Sequence, residues 1–195
     1  MNPVPRNHRP GMSLPRRVVP WIRLLVIGGS DAGISAALRA REKDPSAAIS
    51  VLLTDEYPNY SICGLPFYLS GETPDHRQLA HRTAFEGIEI LTNHRAVAVH
   101  PAAKTVEVVR GPNDSLRTLR YDRLVIATGA VPSRPKGLSG LDLPGVYFLH
   151  TMADGFAVQN RLTERGVRSV IIVGAGYSAS RWPTHYGIGG SRSRS

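Results

Sequence analysis

Apolar positions divide the first part of the chain into a strand, a glycine turn, a helix and a second strand. Residues 22–27 form a short apolar run that ends at Gly28 and Gly29. Residues 35–41 are alanine-rich and favour a helix, and residues 49–53 are apolar and rich in β-branched side chains. The pattern therefore predicts a βαβ unit, and its right-handed crossover makes the two strands parallel.

The pattern changes after residue 87. Residues 88–91, 96–99 and 105–109 are short alternating or β-rich runs separated by turn residues, which is typical of antiparallel hairpins. Residues 123–127 then form another apolar strand. A small antiparallel meander is therefore expected before Leu124.

The last part of the pattern predicts a helix and a buried strand. The helix covers residues 152–165, with Thr151 or Asp154 near its start. The strand covers residues 170–173 and runs directly into a glycine turn. A second nucleotide-binding unit is expected to begin there and to be truncated, because residues 181–195 lack apolar periodicity and good helix formers.

The formal charge of +9 belongs to the two ends of the chain rather than to its middle. Seven arginines account for most of it, and subtracting them leaves +2 over residues 21–180: Arg6, Arg9, Arg16, Arg17, Arg181, Arg192 and Arg194. The folded part therefore gives little reason to expect a nucleic-acid partner. Residues 1–20 are expected to be a disordered, basic, proline-rich extension, and residues 181–195 a disordered Arg/Ser tail.

No membrane segment or metal site is expected. No apolar stretch approaches the roughly 20 residues that cross a bilayer, and the N-terminal stretch lacks the apolar run of a secretory signal. The histidines lack ligand spacing with cysteines or acids, and a single cysteine cannot form an internal disulfide. A cytoplasmic protein is expected.

The first glycine turn has the features of a dinucleotide site. Gly28 can take the backbone angles of a tight turn, and Gly33 lets the helix pack closely on the strand. The helix N-terminus then presents free N–H groups to a pyrophosphate. Asp55 follows Gly33 by 22 residues, where an acid accepts hydrogen bonds from ribose hydroxyls. Ser30 stands at the middle glycine position of G-x-G-x-x-G.

Cys63 follows the predicted second strand in the segment NYSICGLPF. A lone cysteine can be a small buried apolar residue. At the start of a helix, beside a bound flavin, the same side chain can serve as a reactive thiolate. The local sequence alone leaves both interpretations open.

Four motifs carry a family resemblance. They are VIGG at 26–29 with Gly33, SICGLP at 61–66, YDRLVIATGA at 121–130 and VGAGY at 173–177. In these motifs the chain resembles the single-cysteine branch of the pyridine nucleotide-disulfide oxidoreductases, which includes coenzyme A-disulfide reductases, NADH oxidases and NADH peroxidases. The resemblance extends from about Leu24 to Tyr177.

The resemblance implies a role for each motif. The adenosine half of FAD would be held by Gly28, Gly33 and Asp55, and Gly29 and Ser30 of the same turn would also contact the cofactor. Thr128 and Gly129 would form the loop that returns the chain to the flavin. Cys63 would be the redox-active residue, cycling through a mixed disulfide or a sulfenic acid. The NAD(P)H turn would begin at Gly174 and Gly176, and Tyr177 would cover the flavin face.

The fold expected from this resemblance is α/β. It consists of a Rossmann-like FAD-binding domain over residues 21–150, with a parallel sheet and an antiparallel meander, and the start of an NAD(P)-binding domain over residues 151–180. The family is homodimeric, and its dimerisation domain is expected to be absent here.

The function expected is electron transfer from NAD(P)H, through FAD and Cys63, to a small-molecule disulfide, oxygen or a related acceptor. Asp31 stands where the peroxidase branch has histidine, and Ile62 stands where coenzyme A-disulfide reductases have asparagine, so neither peroxide nor coenzyme A is favoured. One alternative is an inactive truncated or frameshifted fragment. A more distant alternative is a basic nucleic-acid-binding protein.

Overall fold

The computed structural model describes residues 22–111, 115–164, 166–174 and 176–181. The predicted extension over residues 1–20 lies outside the described residues, as do residues 182–195 of the predicted tail. The elements of the described part are, in chain order, β1 (Arg23–Ile27), α1 (Asp31–Lys43), β2 (Ala48–Leu52), α2 (Leu65–Ser70), β3 (Ile88–Leu91), β4 (His94–His100), β5 (Thr105–Arg110), β6 (Arg117–Arg120), β7 (Arg123–Ile126), α3 (Met152–Thr163) and α4 (Tyr177–Ser180).

A parallel sheet with strand order β3-β2-β1-β7 forms the centre of the molecule. Its two faces have different side chains because successive residues of a strand point to opposite sides. On one face Val26 and Val51 pack with Ile34 and Ala37 of α1. The predicted βαβ unit is confirmed, with α1 as its crossover helix.

The other face of the parallel sheet is covered by the antiparallel meander β4-β5-β6. Val106 and Val108 of β5 are almost completely buried against Leu25 and Leu52 of the parallel sheet. The predicted meander is confirmed, although its third strand, β6, was not predicted. Arg-Thr-Leu-Arg has too few apolar positions to be recognised as a strand.

The strand at residues 88–91 was predicted correctly in position but wrongly in partner. Instead of forming an antiparallel hairpin, β3 pairs in parallel with β2, with Ile88 opposite Ile49. Ile88 is buried in the cluster beneath α1. A short run with three apolar residues in four predicts a strand without specifying its neighbour, so tertiary packing decides the direction of pairing.

The predicted helix after residue 151 is confirmed, and its start is specified by a capping box. The Thr151 side chain accepts a hydrogen bond from the Asp154 N–H at 3.1 Å, and Asp154 Oδ2 accepts one from the Thr151 N–H at 2.7 Å. This exchange satisfies two amide donors of the first turn. Met152 is thereby fixed against Leu65 of α2 in a third apolar cluster.

The strand predicted at residues 170–173 is not present. These four residues have no regular secondary structure, and their exposed fractions are 44%, 89%, 42% and 91%. A strand requires a neighbour for its backbone hydrogen bonds, and the described part of the chain places none beside this run. The β-branched composition of residues 170–173 is therefore not sufficient to form a strand.

None of the helices within the described ranges is both long enough and apolar enough to span a membrane.

The neighbouring strands β1 and β7 are joined at their starts by Arg23 and Asp122. The Asp122 carboxylate accepts hydrogen bonds from the Arg23 backbone N–H at 2.8 Å, from Nε at 3.0 Å and from Nη2 at 3.0 Å. The Asp122 N–H donates to the Arg23 carbonyl at 2.9 Å. These hydrogen bonds lower the pKa of Asp122 from an ordinary 3.8 to about 2. The bond from the Arg23 side chain has the largest effect, and the bond from the Arg23 backbone N–H has the next largest.

We predict that Asp122→Asn lowers the thermal unfolding midpoint at pH 7, because the charged acceptor of this network is lost. The pKa of Asp122 is depressed in the folded state, so its contribution is present above the ordinary carboxyl value and is lost as the pH falls toward about 2. The difference between wild type and variant should therefore shrink between pH 5 and pH 2, as measured by circular dichroism melting.

The matched control is Glu42→Gln, which breaks the exposed pair with Arg39 on α1. An exposed pair of this kind contributes little, so the midpoint should stay within error at every pH. An Asp122→Asn midpoint equal to wild type at pH 7 would contradict the role given to the network.

Candidate functional site

The first glycine turn lies where three strands end. The Gly28 N–H donates to the Leu52 carbonyl at 2.8 Å, so the turn is fixed to the end of β2. A β-carbon on Gly28 would lie 2.0 Å from the Ala127 carbonyl oxygen, and its φ is +115°. Both the space and the backbone angle therefore require glycine at position 28.

Helix α1 approaches this turn closely. A β-carbon on Gly33 would lie 1.8 Å from the Gly28 carbonyl oxygen. Ser30 is the N-cap residue, and its side chain makes no capping hydrogen bond within the described structure. The N–H groups at the start of α1 are thus not satisfied by their own cap, which is the arrangement that binds a phosphate at a helix N-terminus.

Leu53, rather than Asp55, is the residue after β2 that faces the glycine turn. A β-carbon on Gly29 would lie 3.0 Å from the Leu53 β-carbon, and Leu53 is buried. Asp55 lies two residues further along and is exposed, with Oδ1 accepting a hydrogen bond from the Tyr57 N–H at 2.9 Å. Its predicted contact with ribose stays a prediction.

Thr128 lies at the same edge of the sheet as the first glycine turn, two residues after the end of β7. Its backbone nitrogen would be 3.2 Å from a β-carbon on Gly28. Gly129 follows with a φ of +69°, a value that favours glycine, and both residues are exposed. The structure therefore brings the predicted return loop beside the predicted dinucleotide turn.

Cys63 lies in a 3-10 turn, Ile62–Gly64, that leads directly into α2. Its side chain is exposed. The interpretation of a small buried apolar residue is therefore wrong, and the alternative position, just before a helix, is the one observed.

Asn59 connects the cysteine segment to the glycine turn, a function that the sequence analysis missed. Its backbone N–H donates to the Gly29 carbonyl at 2.8 Å, and its side-chain Nδ2 donates to Asp31 Oδ1 at 2.8 Å. The residue is only 7% exposed and has a φ of +57°. Asparagine tolerates this left-handed conformation better than most residues. An asparagine at position 59 is therefore a sequence signal for a turn there.

The second glycine turn is open on all sides within the described structure. Gly174 has a φ of +128°, and neither Gly174 nor Gly176 would bring a β-carbon within 4 Å of a neighbour. Tyr177 begins α4, which lies beside α2. The Arg181 guanidinium carbon lies over the Tyr177 ring, 5.6 Å from the ring centroid. The helix that follows this turn therefore lies near α2, and the two glycines lack the close packing of the first turn.

Comparison with known proteins identifies relatives of this arrangement. A sequence model of the family described as pyridine nucleotide-disulphide oxidoreductase matches residues 22–182. The chain is similar to an NAD(P)H sulfur oxidoreductase (CoA-dependent) of Pyrococcus abyssi, at 30% identity over 79% of this chain and 34% of that protein. It is also similar to an NADH oxidase of Lactococcus lactis, at 31% identity over 80% of this chain and 35% of that protein.

Solved structures show the same similarity. The water-forming NADH oxidase of Lactobacillus brevis, bound to NADH, aligns with a TM-score of 0.75 and 27% identity, over 85% of this chain and 37% of that one. The NAD-dependent persulfide reductase of A. fulgidus aligns with a TM-score of 0.67 and 34% identity, over 72% and 27%. The chain spans about a third of the length of the curated relatives it matches.

We predict that Gly33→Ala destabilises the fold, because its β-carbon would clash with the Gly28 carbonyl oxygen. Overpacking of this kind costs about 1–3 kcal/mol, or more where only backbone can yield. Urea unfolding measures the loss. The matched control is Gly176→Ala, at a glycine with open space and a φ of −75°, and it should leave the midpoint unchanged. Equal stability of the Gly33 variant would contradict the close approach of α1.

Proposed function

The chain belongs to the pyridine nucleotide-disulphide oxidoreductase family, and from that membership we propose that it binds FAD and carries the thiol of an NAD(P)H-dependent flavin oxidoreductase. The observation that carries the proposal is the first glycine turn. Its backbone is packed too tightly for any side chain at positions 28 and 33, and it lies beside Thr128 and the segment that leads to Cys63.

The residues at this edge of the sheet fit a dinucleotide. The backbone N–H groups at the start of α1 receive no capping hydrogen bond from the Ser30 side chain, and they would bind the pyrophosphate. Gly28, Gly29, Ser30 and Gly33 would line the linker, and Asp55 would reach the ribose through its exposed carboxylate. Thr128 and Gly129 would contact the flavin half from the end of β7.

Cys63 is proposed as the residue that reacts with the electron acceptor. When bound, FAD would supply two-electron transfer from NAD(P)H to an oxidised cysteine, which would thereby return to the thiol. The exposed sulfur of Cys63 can be reached by a small molecule. Cys63 would hold the acceptor as a mixed disulfide or carry a sulfenic acid.

The acceptor is proposed to be a small disulfide, a polysulfide-type compound or oxygen. The names of the two relatives given above, a sulfur oxidoreductase and an NADH oxidase, support this range. Gly174, Gly176 and Tyr177 are proposed to begin the NAD(P)H site. A cytoplasmic location stays a prediction from the sequence.

A second candidate is a chain that binds FAD but does not turn over by itself. The favouring observation is the run at residues 170–173, which has no partner strand in the described structure and leaves the second glycine turn without the support that β1 gives the first. Such a chain would hold the flavin and fail to accept electrons from NADH.

We predict that the purified chain binds FAD with the visible absorption of a flavoprotein. FAD titration followed by flavin fluorescence measures the binding, and anaerobic addition of NADH then tests reduction by bleaching of the visible bands. Bleaching supports the complete electron-transfer function, whereas bound flavin without bleaching supports the second candidate. A folded chain that binds no FAD would contradict both.

We predict that Cys63→Ser keeps FAD affinity within about twofold and loses the interaction between thiolate and flavin. A thiolate against an oxidised flavin gives a charge-transfer absorption at wavelengths beyond the flavin bands, and serine cannot supply it. The measurement is the difference spectrum of dithiothreitol-treated wild type and variant, each with FAD. The same long-wavelength absorption in both proteins would show that the sulfur does not contact the flavin.

A further inference from the structure

A negatively charged side chain lies at the site proposed for a negatively charged linker. Asp31 is the first residue of α1, directly after Ser30 in the glycine turn. Its side chain is 66% exposed. The N-terminus of a helix carries a partial positive charge that attracts anions. A carboxylate at the first helical residue neutralises part of this charge when no ligand is bound.

Two side chains, Asn59 and His81, lie against the Asp31 carboxylate. Oδ1 accepts a hydrogen bond from Asn59 Nδ2 at 2.8 Å and lies 3.3 Å from His81 Nδ1. A histidine ring nitrogen can donate in the neutral as well as in the protonated ring, depending on the tautomer. The carboxylate is therefore turned toward the segments that carry Asn59 and His81.

Asn59 and His81 are themselves fixed to the turn by backbone hydrogen bonds. The Asn59 carbonyl accepts a hydrogen bond from the His81 N–H at 2.9 Å, and the Asn59 N–H donates to the Gly29 carbonyl at 2.8 Å. Asn59 is buried, so its backbone cannot move without breaking these bonds. The turn, the carboxylate and His81 thus form one connected unit with Asn59 at its centre.

We propose that Asp31 weakens the binding of the dinucleotide linker at the start of α1, and that Asn59 and His81 position its carboxylate. The inference rests on the proposed function, because FAD is its ligand. The negative charges of the linker and of Asp31 share one helix start, and their repulsion lowers affinity. The contact with His81 withdraws the carboxylate and offsets part of this repulsion. The chain would consequently bind FAD less tightly than the same turn with a neutral residue at position 31.

The test is FAD titration at pH 7 of the wild type, Asp31→Asn, His81→Gln and the double variant. Removing the like charge should tighten the Kd by about three- to tenfold at low salt. The gain should shrink in about 1 M salt, where charges are screened within about 3 Å. His81→Gln should weaken binding about two- to threefold in the wild type and have no effect beside Asp31→Asn, because its partner is then neutral.

The matched control is Glu42→Gln in the last turn of α1, which removes the same charge from the same helix. Its Kd should equal that of the wild type. An unchanged or weaker Kd for Asp31→Asn overturns the inference, and so does an equal gain from Glu42→Gln, which would show a general charge effect. Circular dichroism confirms that each variant is folded. If no folded protein of the set binds FAD, the proposed function fails, whereas equal affinities across the set overturn this inference alone.

Discussion

The close approach of three backbone segments is the constraint on which the rest of the structure depends. The end of β1, the start of α1 and the residue after β7 meet at Gly28, Gly33 and Ala127, with no room for side chains at the two glycines. This contact sets the position of α1 on one face of the sheet and opens the helix start toward the strand ends. The Arg23–Asp122 network fixes the opposite end of the same strands, so the glycine turn is presented by a sheet held at both ends.

Much of this arrangement could be predicted because it is local. The strand, turn and helix around Gly28 follow from short-range periodicity and from the conformational demands of glycine, and the capping box at Thr151 follows from its own spacing. The exposure of Cys63 was not settled by the local sequence, which left a buried residue and a reactive one at a helix start both open, and the structure decides for the exposed position. The cofactor roles of the individual residues came from the resemblance, and they remain proposals.

The features that could not be predicted are those decided by distant partners. The pairing of β3 with β2 depends on packing beneath α1, and the run at residues 170–173 has the composition of a strand without a neighbour to complete it. Asn59 was overlooked because its hydrogen bonds to Gly29, Asp31 and His81 join segments that are distant in the sequence, and an asparagine alone indicates only a turn. Leu53 faces Gly29 for a similar reason, since the pleat at the end of β2 decides which residue turns inward.

The uncovered run at residues 170–173 has a practical consequence for work with the isolated protein. Four consecutive β-branched residues, without charge or proline and largely open to solvent, match the composition of segments that stack into cross-β assemblies. Stored samples are therefore expected to lose material by self-association in a concentration-dependent manner. Placing a lysine within the run, at a position far from the first glycine turn, is the most direct route to a preparation that stays in solution.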